Sequence, residues 1–274
     1  MGLPLRASAR VVGSTGGHTS RNSLFIAGNA VELVSPGRTE GARHTLTRVF
    51  DVHASDSDIF EAEVLPLAGG VAAGLNAAVI VVGHRCSGRT HLFEAIAPRA
   101  IDALFDALDQ QHSAARGQDD AAGRYTVRMS YAAAVHGTDG LADLLSPGSA
   151  EVFVVRDAEA VGGTRLSGIS THAVARASSF ADLFRRGRER LSQQGVLTSS
   201  VLAIEVDVAP GTAEHLVVSL LIADVEVRPA SESACSIRPT THSAGGVSSA
   251  ALTPHVRGMP KTRAPPQQHG ALLL

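Results

Sequence analysis

Lysine is almost missing from this chain of 274 residues: Lys261 is the only one, and the remaining basic residues are arginines. Any mechanism that needs a lysine within the folded region, placed by the sequence texture at residues 1–228, is therefore excluded. Tryptophan is absent, with eight Phe and two Tyr, so the core has to be built mostly from Val, Leu, Ile and Ala. Two cysteines, Cys86 and Cys235, cannot make a disulfide scaffold and point to a reducing compartment. A formal net charge of −2 gives no global pull toward nucleic acid or an anionic membrane. A charged-then-apolar leader is missing, which argues against secretion. The chain also lacks H-E-x-x-H, G-x-S-x-G, G-x-G-x-x-G and any heptad run that would predict a coiled coil.

What is there reads as alternating strands and helices. Residues 1–45, rich in Gly, Ser, Thr and Arg, read as short strands and loops. A strand over 46–50 enters Asp51, and the run Ser55-Asp56-Ser57-Asp58 offers N-caps to a helix over 59–71. Residues 64–84 carry no formal charge, long enough to raise a membrane span. Pro66, Gly69, Gly70, Gly74 and Asn76 would leave polar backbone in lipid, so a helix end, a turn and a buried strand over 77–82 explain the stretch better. A helix over 90–108, a polar loop over 110–123 and a strand over 125–135 follow. Next come a short helical piece over 141–145, strands over 152–156 and 168–174, and a helix over 178–191. The runs 201–208 and 216–227 have the β-branched content of buried strands. Beyond Arg228 the texture turns to Pro, Ser, Thr, His and Gly without periodicity, and residues 229–274 are expected to be a disordered tail. The pattern predicts a layered α/β domain with a central sheet.

One segment carries chemistry. Residues 83–90 read Gly-His-Arg-Cys-Ser-Gly-Arg-Thr and fit G-x-x-x-x-G-K-[ST] with arginine in place of lysine. Glycines there let backbone N–H groups close around phosphates, and the following helix presents its positive N-terminus. The segment sits between an apolar strand and a helical pattern, as that mechanism requires; an ordinary glycine-rich turn is the bland alternative. His84, Cys86 and His91 lie close in sequence but lack a fourth ligand at zinc spacing. Arg185, Arg186, Arg188 and Arg190 form a local basic face, better read as solvated than as a docking surface for an acidic partner.

The flanking residues resemble a family. GLNAAVIVVGHRCSGRTH over 74–91 is similar to G-Y-N-A-T-I-F-A-Y-G-Q-T-G-S-G-K-T-H of kinesin motor domains. Arg48-Val49-Phe50-Asp51 looks like the family's V-F-D strand end, and Ile96-Ala97-Pro98-Arg99-Ala100-Ile101 resembles its I-I-P-R-A-I segment. YTVRMSY over 125–131, Asp143-Leu144-Leu145-Ser146-Pro147, and LSGISTHAVARASSFADLFRRG over 166–187 follow further family blocks in order and spacing. The resemblance runs from about residue 5 to residue 227 and implies a phosphate-loop NTPase-like α/β fold, a central mixed β-sheet flanked by helices. It implies a motor-like domain over 1–228, ATP or ADP with Mg²⁺ as ligand, microtubules as partner, and a cytoplasmic, cytoskeletal setting. By the same resemblance Gly83, His84, Arg85, Cys86, Ser87, Gly88, Arg89, Thr90 and His91 are the nucleotide-binding candidates, with Thr90 also the Mg²⁺ ligand.

The same blocks show departures. Where kinesins carry R-x-R-P to bracket adenine, this chain has Arg10-Val11-Val12-Gly13. The first switch, N-x-x-S-S-R-S-H, falls on residues 192–199, Ser-Gln-Gln-Gly-Val-Leu-Thr-Ser. The second, D-L-A-G-S-E, falls on residues 222–227, Ile-Ala-Asp-Val-Glu-Val, with Asp224 two residues past the expected aspartate. The elements that follow the second switch in the family have no counterpart in the tail. Arg89 keeps the positive charge but is bulkier than lysine and not an equivalent point charge. These departures predict lost or much weakened hydrolysis, with no catalytic residue assigned. Two alternatives stand beside that expectation: a non-catalytic pseudo-motor that binds microtubules or another motor, and a fragment that folds poorly.

Overall fold

The computed structural model describes residues 6–12, 23–34, 41–85, 87–114, 125–135, 140–146, 153–156, 164–193, 197–208, 216–227 and 270–273. Residues 1–227 with 267–274 form one unit; a second, 228–266, lies outside the described residues.

The frame is a nine-stranded mixed sheet. Its middle is β6 (Ala77–Gly83), flanked by β13 (Leu216–Glu226) and β14 (Gly270–Leu273), both parallel to it. Outward from β13 run β12 (Leu197–Val208) and β7 (Tyr125–Val135), each antiparallel to its neighbour, with β8 (Leu141–Asp143) and β11 (His172–Ala173) beside β7. Outward from β14 run β1 (Arg6–Arg10) and β5 (Arg48–Phe50), all parallel. Two small antiparallel sheets complete the described strands. One joins β2 (Ser23–Ala27), β3 (Ala30–Val34) and β4 (Ala42–Thr45); the other joins β9 (Phe153–Arg156) and β10 (Thr164–Ser167).

Period-two alternation sets one face of the large sheet against helices. Ala77, Val79 and Val81 of β6 are buried on it, as are Val218, Leu220 and Ile222 of β13, Leu202, Ile204 and Val206 of β12, and Val127, Met129 and Tyr131 of β7. Against them pack α2 (Leu65–Ala72), α3 (Arg89–Ala114) and α4 (Ala177–Gln193), through Val71, Phe93, Ile96, Ile101, Leu104, Phe180 and Phe184. With no tryptophan, four rings form the aromatic centre: Tyr131 stacks on Phe184 at 5.7 Å and Phe184 on Phe180 at 5.5 Å, while Phe93 meets Phe184 tilted at 5.8 Å. Each large buried side chain contributes about 1.5–3 kcal/mol over its exposed form.

The expected helix over 59–71 is present but composite. α1 (Asp56–Ile59) starts at Ser55 in a capping box with Asp58, the Ser55 hydroxyl accepting from the Asp58 backbone N–H at 3.2 Å and the Asp58 carboxylate from the Ser55 N–H at 2.8 Å. It then widens into a π-helical turn, Phe60–Val64, before α2. That turn buries Glu63, whose carboxylate accepts from the Ser8 hydroxyl at 3.1 Å and from Arg6 at 3.3 Å and so ties the helix to β1.

Other expectations need correction. The piece over 141–145 is a strand, β8, ending in a turn shaped by Asp143, because pairing with β7 outweighs a helical propensity of five residues. Of the strand over 168–174 only the two-residue β11 forms; β10 ends before it at Ser167, and Gly168 turns the chain at φ +82°. α3 runs six residues past its predicted end, over part of the expected loop, and carries Pro98 inside it. Of the tail expected to be disordered over 229–274, only β14 is described, and it is a strand of the main sheet. Four residues hold too little pattern to be read alone; hydrogen bonds from β6 and β1 on both sides define the strand.

Among the described residues no helix is long and apolar enough to cross a membrane.

Candidate functional site

The motif of residues 83–90 lies where β6 hands over to α3, at the C-terminal end of the sheet's middle strand. Gly83 ends the strand, and its carbonyl accepts from the Val227 N–H at 3.0 Å, which ties the end of β13 to the base of the loop. The Ser87 N–H donates to the His84 carbonyl at 3.1 Å and closes the turn. Gly88 sits at φ +83°, a left-handed conformation that costs a side chain but not glycine. Its carbonyl then accepts from Leu92 at 3.0 Å in the first turn of α3. Gly83 is required for a different reason: a Cβ there would fall 2.3 Å from Ser87 Oγ. Ser87 Oγ is buried inside the loop and has no hydrogen-bond partner among the described residues. An open pocket faces the loop, lined among others by Arg10, Val12, Ser87, Gly88, Arg89 and Leu92.

The charged groups at the base of the loop come from one strand and two helices. β13 pairs with β6 so that Asp224 stands opposite Val81 and Glu226 opposite Gly83. Arg89, the first residue of α3, turns its guanidinium onto both acids, Nη1 to Asp224 Oδ1 at 2.5 Å and Nη2 to Glu226 Oε2 at 3.5 Å. The Thr90 hydroxyl donates to Asp224 Oδ2 at 3.0 Å. The Ser199 hydroxyl, at the start of β12, accepts from the Glu226 N–H at 3.0 Å. Burial raises the Asp224 carboxyl above its ordinary value of 3.8, and Arg89, Thr90 and Arg188 offset this only in part. Arg188, from α4, donates through Nε to Glu94 at 2.7 Å.

The candidates therefore part company. Gly83, Ser87, Gly88 and Arg89 line the pocket; Thr90 is not among its lining residues and is bonded to Asp224. His84 and Arg85 are exposed, the His84 ring bonded to the Arg85 carbonyl at 3.0 Å. Cys86 lies outside the described residues. His91 is 72% exposed and turns away, its Nε2 3.0 Å from Asp56, which also accepts from Arg10 at 2.5 Å. His84 and His91 thus have separate partners, and no group of three metal-ligating side chains occurs among the described residues.

Motif spacing misplaced or missed four residues. Ile222, where the spacing put the second-switch aspartate, is wholly buried on the helix-facing side of β13. Asp224, two residues on, reaches Thr90, because strand register rather than block spacing decides which residue arrives at the loop. Glu226 and Arg10 were not singled out as site residues, and Arg188 only as part of a solvated face; their signal is positional and exists only once β13, β1 and α4 are assembled. Of the expected first switch, residues 194–196 lie outside the described residues.

A central mixed sheet with helices, in which a glycine-bounded loop joins a buried strand to a helix N-terminus, defines the phosphate-loop class of α/β proteins. The kinesin motor domain family model matches residues 26–198, more than half of the chain, and the chain belongs to that family. It is 20% identical over 219 residues to the kinesin-like protein KIN-5C of Oryza sativa subsp. japonica, covering 68% of this chain. The chain spans about a fifth of the length of that curated relative, 20%. Among solved structures it is similar to that described in "Structure of a fast kinesin: Implications for ATPase mechanism and interactions with microtubules". There the TM-score is 0.68 and the identity 18%, over 86% of this chain and 69% of the other. A second, titled "Crystal structures of mutants reveal a signalling pathway for activation of the kinesin motor ATPase", has a TM-score of 0.63 at 16% identity, over 81% and 69%. These likenesses establish the fold.

Proposed function

We propose that this chain is a nucleotide-binding kinesin-type domain that acts on microtubules in a cytoplasmic, cytoskeletal setting, with hydrolysis much weakened or lost. Gly83, Ser87, Gly88 and Arg89 hold the phosphates of ATP or ADP, with His84, Arg85 and Cys86 completing the loop. Thr90 and Asp224 stand where Mg²⁺ would be held, and His91 flanks the site through Asp56.

The observation that carries this reading is the loop interior. Ser87 Oγ is buried and unpartnered, packed where Gly83 leaves room, at the N-terminus of a 26-residue helix. An unmet polar atom costs about 1–3 kcal/mol, and an anion in the loop accepts its hydrogen bond. The helix dipole and the N–H groups of the first turn favour the same negative charge. Asp224 beside Thr90 adds the carboxylate that a magnesium site needs. Bound magnesium would neutralise charge on the phosphate oxygens. Weak hydrolysis follows from the first switch, where Gly195 and Val196 stand in place of the family's serine pair and Leu197 in place of its arginine.

A second reading, a non-catalytic module that binds microtubules or another motor, is favoured by Arg89, whose charge is already met by two acids. Calorimetric titration of the full chain with Mg-ADP and Mg-ATP separates the two. Saturable binding by a protein that melts cooperatively, abolished in Gly88→Val, is the expected result. A folded protein that binds neither nucleotide at millimolar concentration refutes the first reading and leaves the second. Phosphate release stimulated by microtubules at an ordinary enzymatic rate, and abolished by Thr90→Ala, refutes the weakened hydrolysis.

A further inference from the structure

We infer that Asp224 and Glu226 are an internal competitor for the loop's cation, and that they set the affinity of the loop for phosphate by holding Arg89 away from it. This rests on the reading that the loop takes a nucleotide phosphate. The side chains of Arg89, Asp224 and Glu226 are 10%, 4% and 9% exposed, so their attraction is little screened by solvent. Different guanidinium nitrogens meet different carboxylates, Nη1 on Asp224 and Nη2 on Glu226. A planar fork with five donors allows this division; a lysine ammonium is a single point charge.

The strand register makes the arrangement permanent rather than incidental. Asp224 and Glu226 are alternate residues on the same face of β13, and their partners across the ladder are Val81 and Gly83 of β6. The Val227 N–H bond to the Gly83 carbonyl and the Ser199 bond to the Glu226 N–H hold that strand end in place. One guanidinium and two carboxylates sum to one negative charge at the base of the cradle. Arg188 is the other cation whose charge reaches Asp224, and it is engaged by Glu94. A phosphate entering without a divalent cation therefore meets an Arg89 already engaged by two acids and has to take it from them. Neutralising either acid releases part of that hold.

The test is calorimetric binding of inorganic pyrophosphate and of ADP, in EDTA, to the full-length chain and to Asp224→Asn, Glu226→Gln and Asp224→Asn with Arg89→Ala. Asp224→Asn is expected to tighten both ligands by about tenfold and Glu226→Gln by severalfold, with the gain lost when Arg89 is also removed. Dependence on Arg89 is the readout that a purely structural acid would not produce. Thermal melts establish that each variant is folded; should Asp224→Asn fail to fold, Glu226→Gln carries the test alone. Wild-type binding that neither variant tightens overturns the competitor and leaves nucleotide binding intact. Binding by the acid variants but not by the wild type supports the competitor. No binding by any folded form overturns the competitor, and the titration with Mg-ADP decides separately whether the loop takes nucleotide.

Discussion

Replacing Gly187 by alanine sets two opposed effects against each other in α4. Alanine in a helix interior is favoured over glycine by about 0.8–1.0 kcal/mol. The new Cβ, however, would lie 2.3 Å from Tyr131 Cδ1 and 2.7 Å from Cε1. Ordinary carbon contacts are about 3.5–4.0 Å, so something must move by more than an ångström. Tyr131 cannot, being wholly buried and stacked on Phe184 at 5.7 Å and Phe93 at 6.4 Å. The helix has to lift instead, loosening Phe180, Leu183 and Phe184 and shifting Arg188 beside the loop. Overpacking of this kind costs about 1–3 kcal/mol or more, and a displacement this large belongs at the upper end. After the helix gain a net loss of about 2 kcal/mol remains, which lowers Tm by about 4–8 °C in a chain of this size. Gly69→Ala in α2 is the control, because its Cβ would meet nothing within 4 Å. It should gain up to about 1 kcal/mol. Thermal and urea melts of both variants decide the matter. Gly187→Ala at or above the wild-type Tm, with Gly69→Ala raised as expected, would refute the packing argument.

Asp143 organises the turn after β8, accepting from the N–H groups of Leu145 at 2.8 Å, Ser146 at 3.2 Å and Ser170 at 2.6 Å. Asp143→Ala strands those donors and should cost about 3 kcal/mol in urea unfolding, with Asp143→Asn losing less; a loss under about 1 kcal/mol would contradict this role. Tyr125 is pushed up to about 12 by burial and by donation to Asp109, and burial also raises Tyr131. The folded state holds these protons more tightly than the unfolded chain. For Tyr125 that contribution to stability is intact below the ordinary value of 10.0 and lost as pH rises through about 12. With no tryptophan to interfere, ultraviolet titration should show both tyrosines ionising later in the native protein than on unfolding; a native tyrosine titrating near 10.0 would contradict it.

Much of the frame was legible because its signals are local. The uncharged strand before Gly83, the helical spacing of Phe93, Ile96, Ile101, Leu104 and Leu108, and the Ser55 cap each depend on neighbours within a turn or two of chain. Period-two burial in 201–208 and 216–227 likewise follows from β-branched composition. What failed were short pieces whose state depends on distant partners: β8, helical by composition but paired with β7, and β14, which exists between β6 and β1.

At the loop the division is sharper. The sequence by itself determined the cradle: Gly83, Ser87, Gly88, Arg89 and Thr90 are consecutive or nearly so, and their geometry follows from a strand running into a helix. Only the tertiary structure decided which acids reach it. Asp224 and Glu226 stand more than 130 residues from Arg89, and a register shift of one residue in β13 would turn both carboxylates to the opposite face of the sheet. Register is set by pairing of β13 with β6 and β12 together, a property of three strands at once that motif spacing along one chain cannot express.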